Sequence, residues 1–268
     1  MTDTALQTVT VNFKVAVGDG AFGASVAVPE GQCNLTELLP ALQSLDDSLL
    51  SAIAGELGDG GISVSCKAGC GACCRQMVPL SIFEAEALAA WIATLGPDTR
   101  ETLAQRFHQA LLKLSAGGII DRLVAEDWIS DTDSARQLVL DYFYLGIPCP
   151  FLQDESCSIH PIRPLICREH LVTSDPVYCA DPKTLQVDPV PLPLNFSRVL
   201  NHMGAELEPG SHGWIPLVFL FAWIKSGAHP GASFSGAGPE VLYEFVRRME
   251  FARKRDKSTQ SGAPPVPS

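Results

Sequence analysis

The sequence predicts a mainly α protein with a small N-terminal β-hairpin plus helix (α+β) and a long irregular region that cysteines pin in place. Apolar residues recur at helical spacing over most of the chain, strict alternation occurs only near the N-terminus, and prolines crowd residues 146–195. With 268 residues and 46% hydrophobic content, the chain can bury a core without disulfides. We expect a hairpin-helix element at 1–58, a mostly helical domain at 59–256 and a disordered tail at 257–268.

The N-terminal element is predicted from its residue periodicity. From Val9 to Val17, apolar and polar residues alternate with a period of two, which is typical of a half-buried strand. Gly18-Asp19-Gly20 predicts a turn and Ala24 to Val28 a second strand, so we expect a hairpin. Asn34 is suited to N-cap a helix that runs to about Leu57, because leucines then recur at helical spacing.

The rest of the chain is predicted to be helical, apart from one long loop. Ser81 and Glu84 form a capping box that opens a helix to Leu95. Further helices are predicted at about 98–115, 119–128, 133–145, 196–204, 215–226 and 239–255. A loop as long as 146–195 is unusual inside a domain unless something pins it, and this one contains four cysteines.

Composition narrows the partners that we expect. The net charge is −11, so the phosphates of a nucleic acid would be repelled. The longest apolar run, at 215–224, is too short to cross a membrane, and the N-terminus lacks a basic segment followed by an apolar one. We therefore expect a cytoplasmic protein with no nucleic-acid or membrane partner.

Eight of the nine cysteines form a pattern that predicts a metal site. They are Cys66, Cys70, Cys73, Cys74, Cys149, Cys157, Cys167 and Cys179. Thiolates are the ligands that zinc and iron-sulfur centres prefer, whereas disulfides are rare in reducing compartments. Cys33 stands alone and suits a buried structural thiol. We expect the metal to staple the segment from Cys149 to Cys179 onto a helix that follows Cys74.

The spacing of the first four cysteines leaves the number of centres open. Cys73 and Cys74 are adjacent, so they point in different directions and do not easily serve one tetrahedral ion. The cofactor is then zinc or iron, arranged as two four-thiolate zinc sites, as an iron-sulfur cluster plus one zinc, or as one centre with spare cysteines. Only Cys70 and Cys73 have the C-x-x-C spacing of a zinc ribbon.

Four polar residues beside these cysteines are candidates to support the centre: Arg75, His160, Arg163 and Arg168. Arginines could donate hydrogen bonds to thiolates or offset their negative charge. The alternative is that they pair with nearby carboxylates such as Glu155 or Glu169. His160 could be a ligand or a proton carrier, although a single histidine in a proline-rich loop is more often structural.

Three segments together resemble one known family. They are the cluster at 66–74, the Cys149-Pro150-Phe151-Leu152 segment and the CSIHPIRPLICR run at 157–168. Residues 64–180 are similar to the YkgJ-type cysteine-cluster proteins, also called the CxxCxxCC zinc- or iron-chelating domain, which implies chelation by the cysteines. The chain departs from the pattern with three residues between Cys66 and Cys70, where the family name implies two, and with His160 in place of an expected tyrosine.

The resemblance extends to flagellin lysine methylase, which implies an iron-sulfur cluster used with S-adenosylmethionine. Cys66-x3-Cys70-x2-Cys73 also has the spacing by which radical S-adenosylmethionine enzymes hold a cluster. Those enzymes place the motif in a β/α barrel, and no alternating strands and helices are predicted downstream of it here.

The favoured function is therefore a metal-binding protein that chelates zinc or iron, with an iron-sulfur cluster as one form. The alternatives are an iron-sulfur oxidoreductase or methyl-transfer enzyme, a metal-stapled protein-interaction module, and a metal chaperone or sensor. A structural site has all four positions filled by protein ligands, while a catalytic site leaves one open. Ligand counting thus separates these classes; the sequence indicates no substrate or protein partner.

Overall fold

The computed structural model describes residues 7–17, 20–208, 210–227 and 234–260, and most of them are helical. The described helices are α1 (Leu35–Asp59), α2 (Ile82–Thr94), α3 (Pro97–Ala116), α4 (Ile119–Ala125), α5 (Thr132–Tyr144), α6 (Leu165–Glu169), α7 (Phe196–Leu207), α8 (Leu220–Ser226) and α9 (Gly238–Gln260). None of them is both long and apolar enough to cross a membrane. The predicted mainly α class is confirmed.

The described strands form four antiparallel pairs. The strands are β1 (Thr8–Val17), β2 (Gly20–Pro29), β3 (Gln32–Asn34), β4 (Pro79–Ser81), β5 (Leu152–Gln153), β6 (Ser156–Cys157), β7 (Trp214–Pro216) and β8 (Ser235–Ala237). Within the described ranges, β1 pairs with β2, β3 with β8, β4 with β7 and β5 with β6. The described strands therefore form separate two-stranded sheets rather than one continuous sheet.

The N-terminal hairpin and α1 agree with the predicted element. β1 and β2 pair from Thr8 opposite Pro29 to Val17 opposite Gly20, so β2 is longer than the predicted Ala24–Val28. The predicted turn includes residues 18 and 19, which lie outside the described residues. Asn34 caps α1 as predicted: its side chain accepts from the N–H of Glu37, and the Glu37 carboxylate accepts from the N–H of Asn34.

Three groups of buried side chains form the core. The first joins α1, β2, α7 and α9, and includes Leu38, Phe196 and Phe245. The second joins α2 and α3 to the 146–195 region through residues such as Phe107 and Phe151, and the third fills the space between α3, α4 and α5. Cys149 and Cys157 lie at the edge of the second group, which places the cysteine-rich segments on a packed base.

The structure differs from the predicted elements at several boundaries. The helix predicted at 119–128 stops at Ala125, because Glu126 adopts a left-handed conformation (φ 55°) before a 3-10 helix at Asp127–Ser130. The helix predicted at 215–226 begins as β7 and a 3-10 turn, because Trp214–Pro216 pairs with β4. At the C-terminus, α9 continues to Gln260, past the start of the predicted tail, and residues 261–268 lie outside the described residues.

The region around the cysteines has little regular structure. Cys74 is followed only by the end of a 3-10 helix, Ala72–Arg75, and the next α-helix does not begin until Ile82. The expected helix directly after Cys74 is therefore a single 3-10 turn. Residues 146–195 contain two-residue strands, α6 and short 3-10 helices, in agreement with a mostly irregular region.

Candidate metal centre

Tight turns fold the first cysteine segment back on itself. Gly69 adopts a left-handed conformation (φ +82°), and the N–H of Cys70 donates to the carbonyl of Lys67 (3.2 Å). The N–H of Cys74 donates to the carbonyl of Gly71 (3.0 Å), which begins the 3-10 turn. The N–H of Ser65, just before Cys66, donates to the carbonyl of Val172 (2.9 Å) and so ties this segment to the second half of the site.

A short hairpin presents Cys149 and Cys157 to the first segment. The N–H of Cys149 donates to the carbonyl of Cys74 at 2.6 Å, which joins the two cysteine segments directly. β5 and β6 then pair so that Cys157 lies opposite Leu152. The N–H of Ser158 donates to the carbonyl of Phe151 (2.9 Å) and holds the hairpin at its base.

Buried polar groups fix α6, the helix that carries Cys167. Glu84, only 3% exposed, accepts from the N–H of Leu165 at 2.7 Å. Arg168, only 4% exposed, donates to Asp47 (2.6 Å) and to the carbonyl of Arg163 (3.1 Å). Glu169 accepts from the N–H of Ser197 (3.2 Å) on α7. These bonds tie α6 to α1, α2 and α7 at once.

The last cysteine lies on a 3-10 helix at Pro176–Ala180 that packs against the turn at Ala72–Arg75. Asp175 caps this helix by accepting from the N–H of Val177 (3.0 Å). Cys179 is buried there, at 6% exposure.

All eight predicted ligands line one cavity of about 540 Å³, which we call the chamber. The chamber cysteines are Cys66, Cys70, Cys73, Cys74, Cys149, Cys157, Cys167 and Cys179. All are free thiols, and Cys33, also free, lies apart on β3. Within the described ranges, no three His, Cys, Asp or Glu side chains are already grouped so that they could hold a metal ion. The chamber thus gathers the thiol donors around one space.

Electrostatics in the chamber disfavours uncompensated thiolates. Burial raises the pKa of Cys149 to about 12, and it also raises the pKa of Cys167 and Cys157. A hydrogen bond with Cys74 is the largest cause that raises the pKa of Cys73. Neighbouring thiols raise one another's pKa as well, because two nearby thiolates repel. Such a set of donors is chemically suited to a cation, which would stabilise the thiolates that ligate it.

Arg163 acts electrostatically on several chamber thiols, and Arg75 interacts with Cys73 and Cys74. Burial raises the pKa of Cys157, and the Arg163 guanidinium acts to lower it. The same guanidinium acts to lower the pKa of Cys66 and of Cys73. Arg163 also contacts the exposed ring of His160, and its buried Nε has no partner within the described residues.

The other two arginines pair with carboxylates. Arg75 makes a two-point ion pair with Glu155, which was one of the expected alternatives. Arg168 pairs with Asp47 on α1 and not with its neighbour Glu169, because Glu169 faces Ser197 on α7.

Two polar residues that also line the chamber were not predicted from the sequence. The Nε2 atoms of His170 and Gln76 lie 3.4 Å apart at the chamber wall. Burial lowers the pKa of His170, so it is a neutral nitrogen donor at physiological pH. The only signal in the sequence was its position three residues after Cys167, in the same proline-rich loop.

Comparison with known proteins gives one match. Residues 65–185 match the CxxCxxCC family model. This family is described as a putative zinc- or iron-chelating domain. The matched residues, which we call the CxxCxxCC segment, include all eight chamber cysteines. No curated protein and no solved structure matches the chain. The match associates the CxxCxxCC segment with chelation of zinc or iron.

Proposed function

We propose that this protein binds zinc or iron through the eight chamber thiolates. The observation that carries the proposal is that four separate stretches of the chain bring these cysteines to the wall of one cavity. Backbone hydrogen bonds from Ser65 to Val172 and from Cys149 to Cys74 make this arrangement part of the fold. Thiolate is the donor that zinc and iron-sulfur centres share, so the same set of residues supports either cofactor.

The neighbours of each thiol favour two centres. Cys179 is within electrostatic range of Cys66 and Cys70, while Cys167 is within range of Cys149 and Cys157. Each group therefore offers three thiolates, and the Cys73–Cys74 pair lies between the groups. Cys73 interacts with members of both groups. Two four-coordinate centres would each take one of these adjacent cysteines, which do not easily bind the same tetrahedral ion.

Metal binding on this scheme is coupled to the fold and to pH. An ion bound by these thiolates would hold together the irregular segments that carry them. Each thiol that becomes a ligand loses its proton, so binding releases protons and weakens as the pH falls. A reducing, cytoplasmic setting would keep these thiols free to bind.

Elemental analysis of protein purified without oxygen tests the proposal. We expect zinc or iron to copurify with it. Iron with acid-labile sulfide and a visible absorption band would identify a cluster, whereas colourless protein with zinc would identify thiolate sites. Protein that binds neither metal after reconstitution would overturn the proposed function.

Single substitutions test the two groups. Cys179→Ser and Cys167→Ser should each remove the metal of one group and leave the other, while Cys73→Ser should remove the metal only of the group that takes Cys73 as its fourth ligand. Cys33→Ala is the matched control, since Cys33 lies outside the chamber and should leave the metal content unchanged. Loss of all metal from both Cys179→Ser and Cys167→Ser would show a single centre.

A second candidate function is an iron-sulfur enzyme that uses S-adenosylmethionine. One observation favours it: Cys70 also lines a neighbouring open cavity of about 570 Å³, so a centre bound there would be reachable by a substrate. A catalytic site keeps one coordination position open beside such a cavity. A change in the electron paramagnetic resonance spectrum of the reduced protein on adding S-adenosylmethionine would support this candidate, and an unchanged spectrum would oppose it.

A further inference from the structure

Two cavities meet at the first cysteine turn. The chamber and the open cavity of about 570 Å³, which we call the outer cavity, share wall residues that include Lys67, Cys70 and Glu155. The outer cavity is otherwise lined by residues such as Tyr144 and Val177, whose side chains are exposed to solvent. The shared wall therefore lies between the chamber and the outer cavity.

The tip of the β5–β6 hairpin forms part of this wall. Asp154 and Glu155 both adopt left-handed conformations (φ 49° and 56°), which non-glycine residues enter at a cost. The tip lies directly on Gly71, where an added Cβ would come within 2.5 Å of Glu155 Oε2 and 2.9 Å of Leu152 Cδ1. Gly71 thus permits a close approach between the turn that carries Cys70 and the hairpin that carries Cys157.

One ion pair fastens this contact. Arg75 Nη2 donates to Glu155 Oε1 at 2.7 Å, and Nη1 donates to Glu155 Oε2 at 3.0 Å. The same Nη1 donates to the carbonyl of Gly71 at 2.7 Å. The guanidinium therefore holds both the carboxylate at the hairpin tip and the backbone beneath it. A two-point arginine-carboxylate pair fixes orientation better than a single contact does.

We propose that the Arg75–Glu155 pair is a latch that closes the chamber toward the outer cavity and slows the exchange of bound metal. The inference rests on the proposed function, because it concerns retention of a metal by the chamber thiols. The latch joins two segments that each carry ligands, so opening it separates Cys70 and Cys73 from Cys157 and exposes the chamber. The outer cavity is then a route by which a metal ion or a competing chelator reaches the thiols on this side of the chamber.

Release of zinc to a chelator tests the latch. Glu155→Gln keeps the shape of the side chain and removes its charge, and we expect zinc to leave this variant up to about five-fold faster, the factor typical of an exposed ion pair. Arg75→Gln should have an effect at least as large, because it also removes the bond to Gly71. High salt should accelerate release from the wild type and have little effect on Glu155→Gln, because salt screens the pair.

Arg122→Gln is the matched control. Arg122 makes an exposed ion pair of the same length, 2.7 Å, with Asp141, between α4 and α5. Its loss should leave zinc release unchanged. Equal release rates for wild type and Glu155→Gln, both carrying full zinc, would overturn the latch and leave the proposed function standing.

Alkylation of metal-free protein separates the two ideas if zinc fails to bind. Absence of both zinc and iron binding by the wild type would overturn the proposed function. The alkylation rates of Cys70 and Cys157, followed by mass spectrometry, then report on the latch alone: faster modification in Glu155→Gln than in wild type and Arg122→Gln supports a closed chamber. Equal rates in all three proteins would overturn the latch as well.

Discussion

Among single residues, Asp46 on α1 has the least favourable surroundings. It is 0% exposed, and neither carboxylate oxygen has a hydrogen-bond partner within the described residues. Its pKa is raised to about 8, mainly by burial and also by nearby Glu169 and Asp47, while Arg168 acts to lower it. Asp46 is therefore largely protonated at neutral pH, as a buried neutral acid behind the helix that carries Cys167.

Asp46→Asn should change how stability depends on pH. Because the folded pKa lies above the unfolded one, the folded state keeps a proton that the unfolded state releases. The free energy of unfolding of the wild type then falls as the pH rises from about 4 to 8. We expect Asp46→Asn to be more stable than the wild type by a few kcal/mol, on the order of 3, at pH 8 and to differ little near pH 4. Urea unfolding at several pH values measures the difference.

A second buried acid, Glu169, gives a check on the stability difference between wild type and Asp46→Asn. Burial raises the pKa of Glu169 to about 7, so this residue lowers the stability of both proteins as the pH rises from about 4.5 to 7 and adds little further change above that. The difference between the proteins should continue to grow between pH 7 and 8. A constant difference across the whole range would show that Asp46 does not titrate in the folded protein as described.

At the scale of single elements, two helix glycines have opposite roles. A Cβ on Gly204 in α7 would come within 2.5 Å of the carbonyl oxygen of Gly213 and 2.8 Å of its Cα. A Cβ on Gly55, in α1, would meet nothing within 4 Å. The first glycine is there because another backbone crosses the helix, whereas the second has no steric reason to be glycine.

Alanine at these positions should shift stability in opposite directions. Gly55→Ala should raise the free energy of unfolding by about 0.5 to 1 kcal/mol, because alanine loses less backbone entropy in a helix. Gly204→Ala should lower it by about 1 to 3 kcal/mol, since the new methyl must displace the backbone at Gly213. Thermal denaturation of both variants tests the pair, and stabilisation by Gly204→Ala would contradict the packing of α7 described above.

Elements set by local signals were predictable from the sequence. Asn34 with Glu37, and Ser81 with Glu84, satisfy the first N–H groups of their helices within four residues, so the starts of α1 and α2 were correct. The break before α8 was not predicted, because it depends on β7 pairing with β4 from a distant part of the chain. The pairing of Arg168 with Asp47 was missed for the same reason, since the two residues lie on different helices.

For the whole molecule, the cysteine pattern predicted which residues line the chamber but not how they meet. Spacing identified all eight chamber cysteines and Arg163. It gave no sign of His170, which also lies at the chamber wall. These features depend on how α6 and the hairpin at 152–157 sit against the first turn, which no local spacing encodes.

Metal should act on the stability of the entire fold. The chamber draws on segments from residue 66 to residue 179, so an ion bound there crosslinks the second core group to α6. At a free metal concentration of 100 times the Kd, one site adds about 2.7 kcal/mol, or roughly 5 to 10 °C in Tm for a chain of this size. We expect a chelator to lower the Tm of the wild type by that amount.

The matched control is the double variant Cys179→Ser with Cys167→Ser, which removes one thiol from each group. Its Tm should be lower than that of the metal-bound wild type and should not respond to the chelator. A wild-type Tm that is the same with and without chelator, in protein shown to carry metal, would contradict the stabilising role of the ion.

The order in which the thiols are made follows from their positions in the chain. Cys66 to Cys74 leave the ribosome well before Cys179, and at ordinary rates of translation the delay is roughly 5 to 20 s. During that interval the nascent chain exposes four reactive sulfurs without the later ones that complete their surroundings. The complete set of chamber thiols therefore exists only late in biosynthesis, and a nascent chain that stalls before Cys179 emerges presents an incomplete set.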